Sequence, residues 1–167
     1  MIVVLMGVTG SGKTTIGELL AERAGAVFAD ADDYHPAANK QKMAAGHPLN
    51  DDDRQPWLET LNKLMLSWFR EGKSGILACS ALKQKYRDTL AADMPPAAIT
   101  FVWLDTPKEI IAERLAARHH EFMNPNLLQS QFDTLEPPAD ALRIVNDRDP
   151  EQVVESILKK IPEAQKT

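Results

Sequence analysis

Short apolar runs alternate along this chain with longer amphipathic ones. The runs with β-strand character cover residues 2–6, 26–29, 75–80, 99–105 and 142–146. Several of them are apolar at consecutive positions, which is typical of parallel strands buried on both faces. Because helical patterns lie between the runs, the sequence predicts an α/β fold, with a parallel sheet covered by helices in three αβα layers.

The helical patterns place polar residues close to the ends of the predicted strands. Helices are expected over residues 13–24 and 57–69, and the second of these has an apolar stripe at helical spacing. Two further helices begin with capping signals, at Thr106 and at Asp149, and the last extends to about Lys160. Ligands of such sheets bind at the carboxyl ends of the strands, so the candidate chemistry is sought there.

The bulk properties indicate one ordinary globular domain spanning residues 1–167. Hydrophobic residues make up 44% of the chain and the net charge is −5, which argues against a nucleic-acid partner. No apolar run is long enough to span a bilayer, and the start lacks the basic region of a signal peptide. With Cys79 as the single cysteine, the chain is expected to be cytoplasmic, with no membrane partner.

A phosphate-binding motif directly follows the first apolar run. Residues 7–14, GVTGSGKT, satisfy the pattern G-x-x-x-x-G-K-[ST] between a predicted strand and a predicted helix. Glycines bring backbone N–H groups close to phosphate oxygens, and Lys13 can reach the β- and γ-phosphates. The Thr14 hydroxyl is placed to bind Mg²⁺. The predicted ATP-binding residues of this loop are Gly7, Val8, Thr9, Gly10, Ser11, Gly12, Lys13 and Thr14.

Two aspartates follow the second predicted strand, in FADADDYHP. In an extended segment Asp30 and Asp32 would point the same way and Asp33 the opposite way. One carboxylate could hold Mg²⁺, and the other could accept a proton or a hydrogen bond from an attacking hydroxyl. A solvated acidic turn is the alternative for the pair. His35 precedes a proline and fits a loop contact as well as a substrate contact.

Cations beside two further helix starts are candidates for binding an anionic substrate. Arg54 lies in an unfavourable position near a helix N-terminus, so it needs an anionic partner, either a substrate or one of residues 51–53. Ser80 ends the third predicted strand, and Lys83 and Arg87 are four apart on the helix that follows. These three residues could bind a polyhydroxy acid. Alternatively, the two cations could form a solvated basic stripe on the helix surface.

A lid is predicted after the fourth strand. Arg114 and Arg118 are four apart on a helix that runs into a polar, proline-interrupted segment. Phosphoryl-transfer sites need mobile cations that close over the phosphates and exclude water, and these two arginines are the candidates. Ordinary surface arginines are the alternative.

Together the motifs resemble those of the small P-loop gluconate kinases. The matching segments are GVTGSGKTT, FADADDYHP, KMAAGHPLNDDDRQPWL, CSALKQKYRDTL and EFMNPNLLQSQFDTLE, and the resemblance extends over residues 2–161. It implies a P-loop NTPase fold related to shikimate and nucleoside monophosphate kinases, with a five-stranded parallel sheet and a helical lid at about residues 114–136. It also implies a homodimer that transfers the γ-phosphate of ATP to the 6-hydroxyl of D-gluconate.

The same resemblance implies roles for individual residues. Mg²⁺ would lie near Thr14 and Asp30, and Asp32 would face the substrate hydroxyl as a catalytic residue with Lys13 and Arg118. Arg114 and Arg118 would contact ATP from the lid. The implied sugar-acid contacts are Asp32, His35, Arg54, Ser80, Lys83, Arg87 and Gln131. Two departures from the family pattern are Ala31, where glycine is frequent, and His119-His120 in the lid.

Two alternatives remain open from the sequence. One is a kinase for another small anionic hydroxy compound, such as shikimate or a different aldonate. The other is a nucleotide-binding switch that hydrolyses ATP slowly and signals to a partner protein. The cations near Ser80 favour an anionic substrate, and stimulation of ADP production by gluconate would distinguish a kinase from a switch.

Overall fold

The computed structural model describes residues 1–117 and 125–161 and contains a five-stranded parallel sheet. The strands are β1 (Ile2–Met6), β2 (Val27–Asp30), β3 (Gly75–Ala78), β4 (Ile99–Asp105) and β5 (Leu142–Val145). Their order is β2-β3-β1-β4-β5, and every neighbouring pair is parallel. The predicted fold class is therefore confirmed. The predicted strand at 75–80 was too long, since β3 ends at Ala78 and leaves Ser80 in the loop beyond it.

Seven helices lie between and after these strands in the described part of the chain. They are α1 (Lys13–Ala24), α2 (Ala37–Ala44), α3 (Asp51–Arg70), α4 (Gln84–Leu90), α5 (Lys108–Ala117), α6 (Pro125–Thr134) and α7 (Pro150–Lys160). Short 3₁₀ turns cover Ala31–Tyr34 and Pro96–Ala98. Over these same residues, no helix combines the length and the apolar character needed to cross a bilayer.

Helix α3 begins earlier than its apolar stripe predicted. Asn50 caps the helix by accepting a hydrogen bond from the Asp53 amide at 2.8 Å, and the Asp53 carboxylate accepts one from the Asn50 amide at 2.9 Å. This reciprocal cap stabilises the first turn. Three acidic residues in that turn add to the stability, because their negative charges interact favourably with the positive end of the helix dipole. The predicted start at residue 57 was therefore wrong, and Arg54 belongs to the first turns of the helix.

Strand β1 divides the core into two layers. Ile2, Val4 and Met6 face the side covered by α3 and α4, whereas Val3 and Leu5 face the side covered by α1 and α7. All five side chains are buried, as expected for a central strand of a parallel sheet. The loop that follows β1 therefore begins from the middle of the sheet, at its carboxyl edge.

A third, smaller apolar cluster lies beside that loop. It joins Val8 of the loop to Ile111 and Leu115 of α5 and to Leu128 of α6, with Leu82 completing it. Helices α5 and α6 therefore pack against the loop after β1 rather than against the main body of the sheet. This contact positions the predicted lid region next to the predicted phosphate site.

Candidate functional site

A cavity of about 740 Å³ opens at the carboxyl edge of the sheet. Its lining comes from the loop after β1, the ends of β2 and β3, helix α5 and the residues after β5. The lining includes Lys13, Thr14, Asp30, Asp32, Arg114 and Asn146. We call it the first cavity, and it contains most of the residues that were predicted to bind ATP and Mg²⁺.

A second cavity, of about 830 Å³, adjoins the first. It is lined by His35, Arg54, Trp57, Tyr86 and Gln131, together with residues of the segment between α2 and α3. Thr9, Asp32 and Ser80 line both cavities. Two ligands bound in these cavities would therefore meet at a shared wall that contains the Asp32 carboxylate.

The loop over residues 7–14 needs glycine at two crowded positions. Gly7 has φ 153°, and a Cβ there would lie 2.8 Å from the Ser11 Oγ. Gly12 has φ 98°, and a Cβ there would lie 2.6 Å from the Asn146 Nδ2. Both the backbone conformation and the lack of space therefore exclude larger residues. Helix α1 begins immediately afterwards, so its N-terminus faces the first cavity.

Lys13 is held inside the loop by its own neighbours. Its ammonium donates hydrogen bonds to the carbonyl oxygens of Gly7 and Val8, both at 3.0 Å. Desolvation of this group lowers the pKa of Lys13 to about 8, although the charges of Asp32 and Asp30 act in the opposite direction. An anionic phosphate in the cavity would offset that desolvation and favour the charged form.

The two aspartates at the end of β2 converge, but through a turn rather than an extended segment. Asp30 caps the 3₁₀ turn, because its Oδ1 accepts a hydrogen bond from the Asp32 amide at 3.0 Å. Its Oδ2 accepts one from the Thr14 hydroxyl at 3.1 Å. Partial desolvation, followed by the charge of Asp30, raises the pKa of Asp32. The extended geometry predicted for this pair was wrong, while both carboxylates do line the first cavity.

Trp57 fixes the backbone of this turn. Its indole Nε1 donates a hydrogen bond to the Ala31 carbonyl oxygen at 2.7 Å, and the Ala31 side chain is buried in the core. The His35 ring stacks on the indole, with centroids 4.2 Å apart and an interplanar angle of 15°. Desolvation lowers the pKa of His35, so the imidazole in the second cavity is neutral near pH 7. Ala31, which departs from the family pattern, is thus part of the core.

Asp51 is the partner of Arg54. The Arg54 Nη1 lies 3.6 Å from the Asp51 Oδ1 and donates to the Tyr86 hydroxyl at 3.2 Å. That hydroxyl in turn donates to Asp51 at 2.5 Å. The Lys83 ammonium lies 3.6 Å from the same carboxylate, and Lys85 also contacts it. Three cations therefore surround one carboxylate at the edge of the second cavity, which leaves an excess of positive charge there.

Arg87 and Lys83 are one helical turn apart, as predicted, but they differ in burial. Lys83 is the N-cap of α4, and the Arg87 side chain is buried, with the residue only 3% exposed. Its guanidinium donates to the carbonyl oxygens of Ala81 at 2.7 Å, Leu82 at 3.2 Å and Glu136 at 2.8 Å. The predicted contact between Arg87 and the sugar acid is therefore corrected: its donors bind the backbone around the site.

The predicted lid is described only in part. Arg114 of α5 lines the first cavity. Arg118, His119 and His120 lie outside the described residues, so their predicted roles remain predictions. Gln131 of α6 accepts a hydrogen bond from the Thr9 amide at 2.6 Å and donates one to the Thr9 hydroxyl at 2.9 Å. The predicted sugar-acid residue of the lid thus contacts the phosphate loop directly.

Two residues that the sequence interpretation gave no role in the site support the phosphate loop. The Thr106 hydroxyl and the Asn146 side-chain Nδ2 both donate to the Ser11 carbonyl oxygen, at 2.8 and 2.7 Å. Thr106 was interpreted only as a helix cap and Asn146 only as a strand end. Their position in the sequence could have indicated a role in the site, since each is a polar residue at the carboxyl end of a strand. The Ser11 hydroxyl is buried without a hydrogen-bond partner among the described residues.

Cys79 lies behind the loop. It directly follows β3, is 2% exposed, and its amide donates to the Leu5 carbonyl oxygen at 3.0 Å. Burial raises the pKa of its thiol to about 12, so the thiol remains protonated. Cys79 is therefore an inert wall of the first cavity rather than a nucleophile.

The first cavity fits a nucleotide phosphate chain that carries Mg²⁺. Thr14 and Asp30 supply two oxygen atoms, whereas no group of three or more His, Cys, Asp or Glu residues in the described ranges could hold a metal by itself. Mg²⁺ binds through a few protein oxygens, several waters and substrate phosphates. The donor set therefore suits an ion that arrives with the nucleotide.

Comparison with known proteins agrees with this geometry. A family model described as an AAA domain matches residues 2–138. The thermosensitive gluconokinase of Escherichia coli (strain K12) is 48% identical over 143 residues, covering 85% of this chain and 75% of the relative. A gluconokinase structure from Sinorhizobium meliloti 1021 superposes with a TM-score of 0.83 at 38% identity, covering 94% of this chain and 89% of that chain. A shikimate kinase from Aquifex aeolicus shares the fold, with a TM-score of 0.61 at 20% identity over 95% and 94% of the two chains.

Proposed function

The chain belongs to the gluconokinase family, and we propose that its two adjoining cavities hold the two substrates of an ATP-dependent gluconate kinase. The phosphates of ATP occupy the first cavity and D-gluconate occupies the second, with transfer to the 6-hydroxyl. The observation that carries this arrangement is the shared wall, where Thr9, Asp32 and Ser80 line both cavities. In-line transfer needs the two reacting oxygens on opposite sides of one phosphorus atom, and a common wall permits that placement.

On the nucleotide side, the backbone of residues 7–14 and the Lys13 ammonium bind the phosphates. Thr14 and Asp30 would hold Mg²⁺, which when bound neutralises charge on the phosphate oxygens. Arg114 contacts the nucleotide from α5, and Arg118 joins it as part of a lid at about residues 114–136. These cations spread the charge of the transferring group and exclude water from it.

Asp32 is the residue that receives the substrate hydroxyl. Both oxygens of Asp30 already accept hydrogen bonds, one from Thr14 and one from the Asp32 amide. Because Asp30 is also assigned to Mg²⁺, Asp32 remains to accept a proton or a hydrogen bond from the 6-hydroxyl. Its raised pKa makes it a stronger base than an ordinary aspartate.

The second cavity suits a polyhydroxy acid. Arg54 and the neighbouring Lys83 supply positive charge for the carboxylate, while His35, Ser80 and Gln131 supply hydrogen-bonding groups for the hydroxyls. Arg87 takes part indirectly, because its guanidinium fixes the carbonyl groups of Ala81 and Leu82. The arrangement matches an anionic alcohol of sugar size.

Three broader features belong to the same proposal. The chain forms a single kinase domain over residues 1–167, and it acts in the cytoplasm, as its single cysteine suggests. The resemblance to small gluconate kinases supports a homodimer. Light scattering of the purified protein, coupled to size-exclusion chromatography, tests the dimer.

The test is a coupled assay of ADP formation, with and without gluconate. We expect strong stimulation by D-gluconate and little by shikimate. Lys13→Ala should abolish turnover and leave a folded protein, and Lys40→Ala, an exposed lysine of α2, is the matched control. An unchanged basal rate with every acid would favour a slow ATP-hydrolysing switch, and a preference for shikimate would reassign the substrate.

A further inference from the structure

Gln131 and Thr9 form a two-point contact between helix α6 and the phosphate loop. The Thr9 amide lies 2.6 Å from the Gln131 Oε1, and the Gln131 Nε2 lies 2.9 Å from the Thr9 hydroxyl oxygen. A backbone N–H can only donate, so the Gln131 atom facing it must be the amide oxygen. The orientation of the Gln131 amide is therefore fixed by the loop.

This contact lies between the two cavities. Gln131 lines the second cavity, whereas Thr9 lines both. A carboxamide carries a second N–H and a second oxygen lone pair beyond those that Thr9 engages. Those groups suit a hydroxyl of a ligand in the second cavity. One side chain thus lines the second cavity and contacts the predicted phosphate loop.

The chain directly after α6 is fastened to α4, so Gln131 projects from a supported helix. The Glu136 amide donates to the Leu82 carbonyl oxygen at 2.8 Å, and the Glu136 Oε1 accepts from the Gln84 amide at 2.8 Å. Arg87 donates to the Glu136 carbonyl oxygen, also at 2.8 Å. Leu128, one turn before Gln131, packs with Val8 of the loop in the same apolar cluster. A shift of the Gln131 side chain is therefore transmitted to Thr9 through the two hydrogen bonds.

We propose that Gln131 is a positioning residue that couples the two substrate sites. A sugar acid in the second cavity orders the Gln131 amide, and the ordered amide holds the Thr9 end of the phosphate loop in its binding conformation. Coupling between binding sites is reciprocal, so gluconate and nucleotide strengthen each other's binding by the same factor. This inference rests on the proposed function, and it gives Gln131 a role beyond direct contact with the sugar acid.

The experiment measures the Kd of Mg·ADP by calorimetry, without gluconate and with saturating gluconate. In the wild-type protein we expect gluconate to tighten ADP binding by roughly tenfold, within the usual range of allosteric coupling. Gln131→Met keeps the size of the side chain and removes both hydrogen bonds, so the ratio of the two Kd values should fall to about one. Gln129→Met, an exposed position on the same helix, is the matched control and should retain the wild-type ratio.

Substitutions at Thr9 test the same contact from the loop. Thr9→Ser keeps the amide and the hydroxyl, so the ratio should be preserved. Thr9→Val removes the hydroxyl that accepts from Gln131, so the ratio should fall. In the double variant Thr9→Val with Gln131→Met, the loss should be no greater than in Gln131→Met alone, because both changes break one contact.

Three outcomes would contradict the inference, and they are distinguishable. If Gln131→Met weakens gluconate binding while the ADP ratio is unchanged, Gln131 is only a sugar-acid contact. If the wild-type protein forms ADP with gluconate but binds ADP equally well without it, the coupling is absent and the proposed function stands. If no gluconate-dependent ADP formation occurs, the proposed function itself is wrong, and the proposed coupling is then wrong as well.

Discussion

The Trp57 Nε1 donates a hydrogen bond of 2.7 Å to the carbonyl oxygen of Ala31, the residue between the two site carboxylates. Helix α3 is thereby attached to the turn that carries Asp30 and Asp32. Both partners are buried, so water does not compete for the bond. The position of the Asp32 carboxylate thus depends on a core residue of the helix as well as on its own turn.

Trp57→Phe should lower kcat without preventing folding. The variant keeps an aromatic ring in the core but leaves the Ala31 carbonyl oxygen unpaired, so the turn can shift. Small misplacements of reacting groups are costly, and we expect a loss of kcat on the order of tenfold, measured by the coupled assay. Trp103→Phe, on strand β4, is the control. Equal kcat values for the two variants would show that the bond does not position the turn.

Asp32→Asn should reduce kcat by about 10²–10⁴-fold and change the Kd of ADP by no more than about twofold. The amide has the same shape, but it cannot accept a proton from the substrate hydroxyl. Steady-state kinetics and calorimetry measure the two quantities. Asp33→Asn is the matched control, since Asp33 occupies the same 3₁₀ turn and is exposed. A near-normal kcat for Asp32→Asn would exclude both a base role and a hydroxyl-positioning role.

Nucleotide binding should take up a proton at alkaline pH. The pKa of Lys13 is lowered to about 8 in the free protein, and a bound phosphate raises it again. Between these two pKa values the free lysine is neutral and the bound lysine is charged, so affinity should fall as pH rises above about 8. Below that range Lys13 is charged in both states, and neither uptake nor loss of affinity is expected.

Calorimetry in two buffers with different ionisation enthalpies measures this uptake. We expect little uptake at about pH 7 and close to one proton at about pH 9. Lys13→Arg is the control, because a guanidinium stays charged throughout this range. The same uptake in Lys13→Arg as in the wild-type protein would assign the proton to a different group.

Arg87→Met should destabilise the fold by about 3 kcal/mol, because several buried carbonyl oxygens lose a charged donor at once. Denaturant unfolding measures the change in the free energy of unfolding. The stability of Arg87→Lys should lie between those of the wild-type protein and Arg87→Met, since an ammonium keeps the charge but lacks the planar arrangement of donors. Arg70→Met, exposed at the end of α3, should change stability by less than about 0.5 kcal/mol. A similarly small effect for Arg87→Met would restore Arg87 as a candidate for direct substrate contact.

The sequence predicted those parts of the site that depend on neighbouring residues. The phosphate loop is one continuous segment, so its strand, glycines, lysine and helix start could all be identified locally. The Asp30 and Asp32 pair was also found, but its geometry was not, because the Asp30 side chain caps a turn instead of continuing the strand. The start of α3 was predicted from the apolar stripe, which begins at Trp57, whereas the helix starts at the capping box of Asn50 and Asp53.

Contacts between distant segments could not be predicted in this way. Arg87 carries a charge that suggests a substrate contact, and nothing local indicates that the chain after α6 returns to accept its hydrogen bonds. Thr106 and Asn146 meet at the Ser11 carbonyl oxygen only because β4 and β5 follow β1 across the sheet. Such contacts depend on strand order, which the alternation of strands and helices leaves open.

The buried thiol of Cys79 provides the protein with its own reporter. It is the single cysteine of the chain, it lies 2% exposed behind the phosphate loop, and burial raises its pKa to about 12. A thiol-specific reagent can therefore modify it only when a local opening around the first cavity exposes and ionises the thiol, so the labelling rate measures how often that opening occurs. Bound nucleotide should slow the labelling in proportion to its occupancy, and the native chain can thus report ligand binding without an introduced probe.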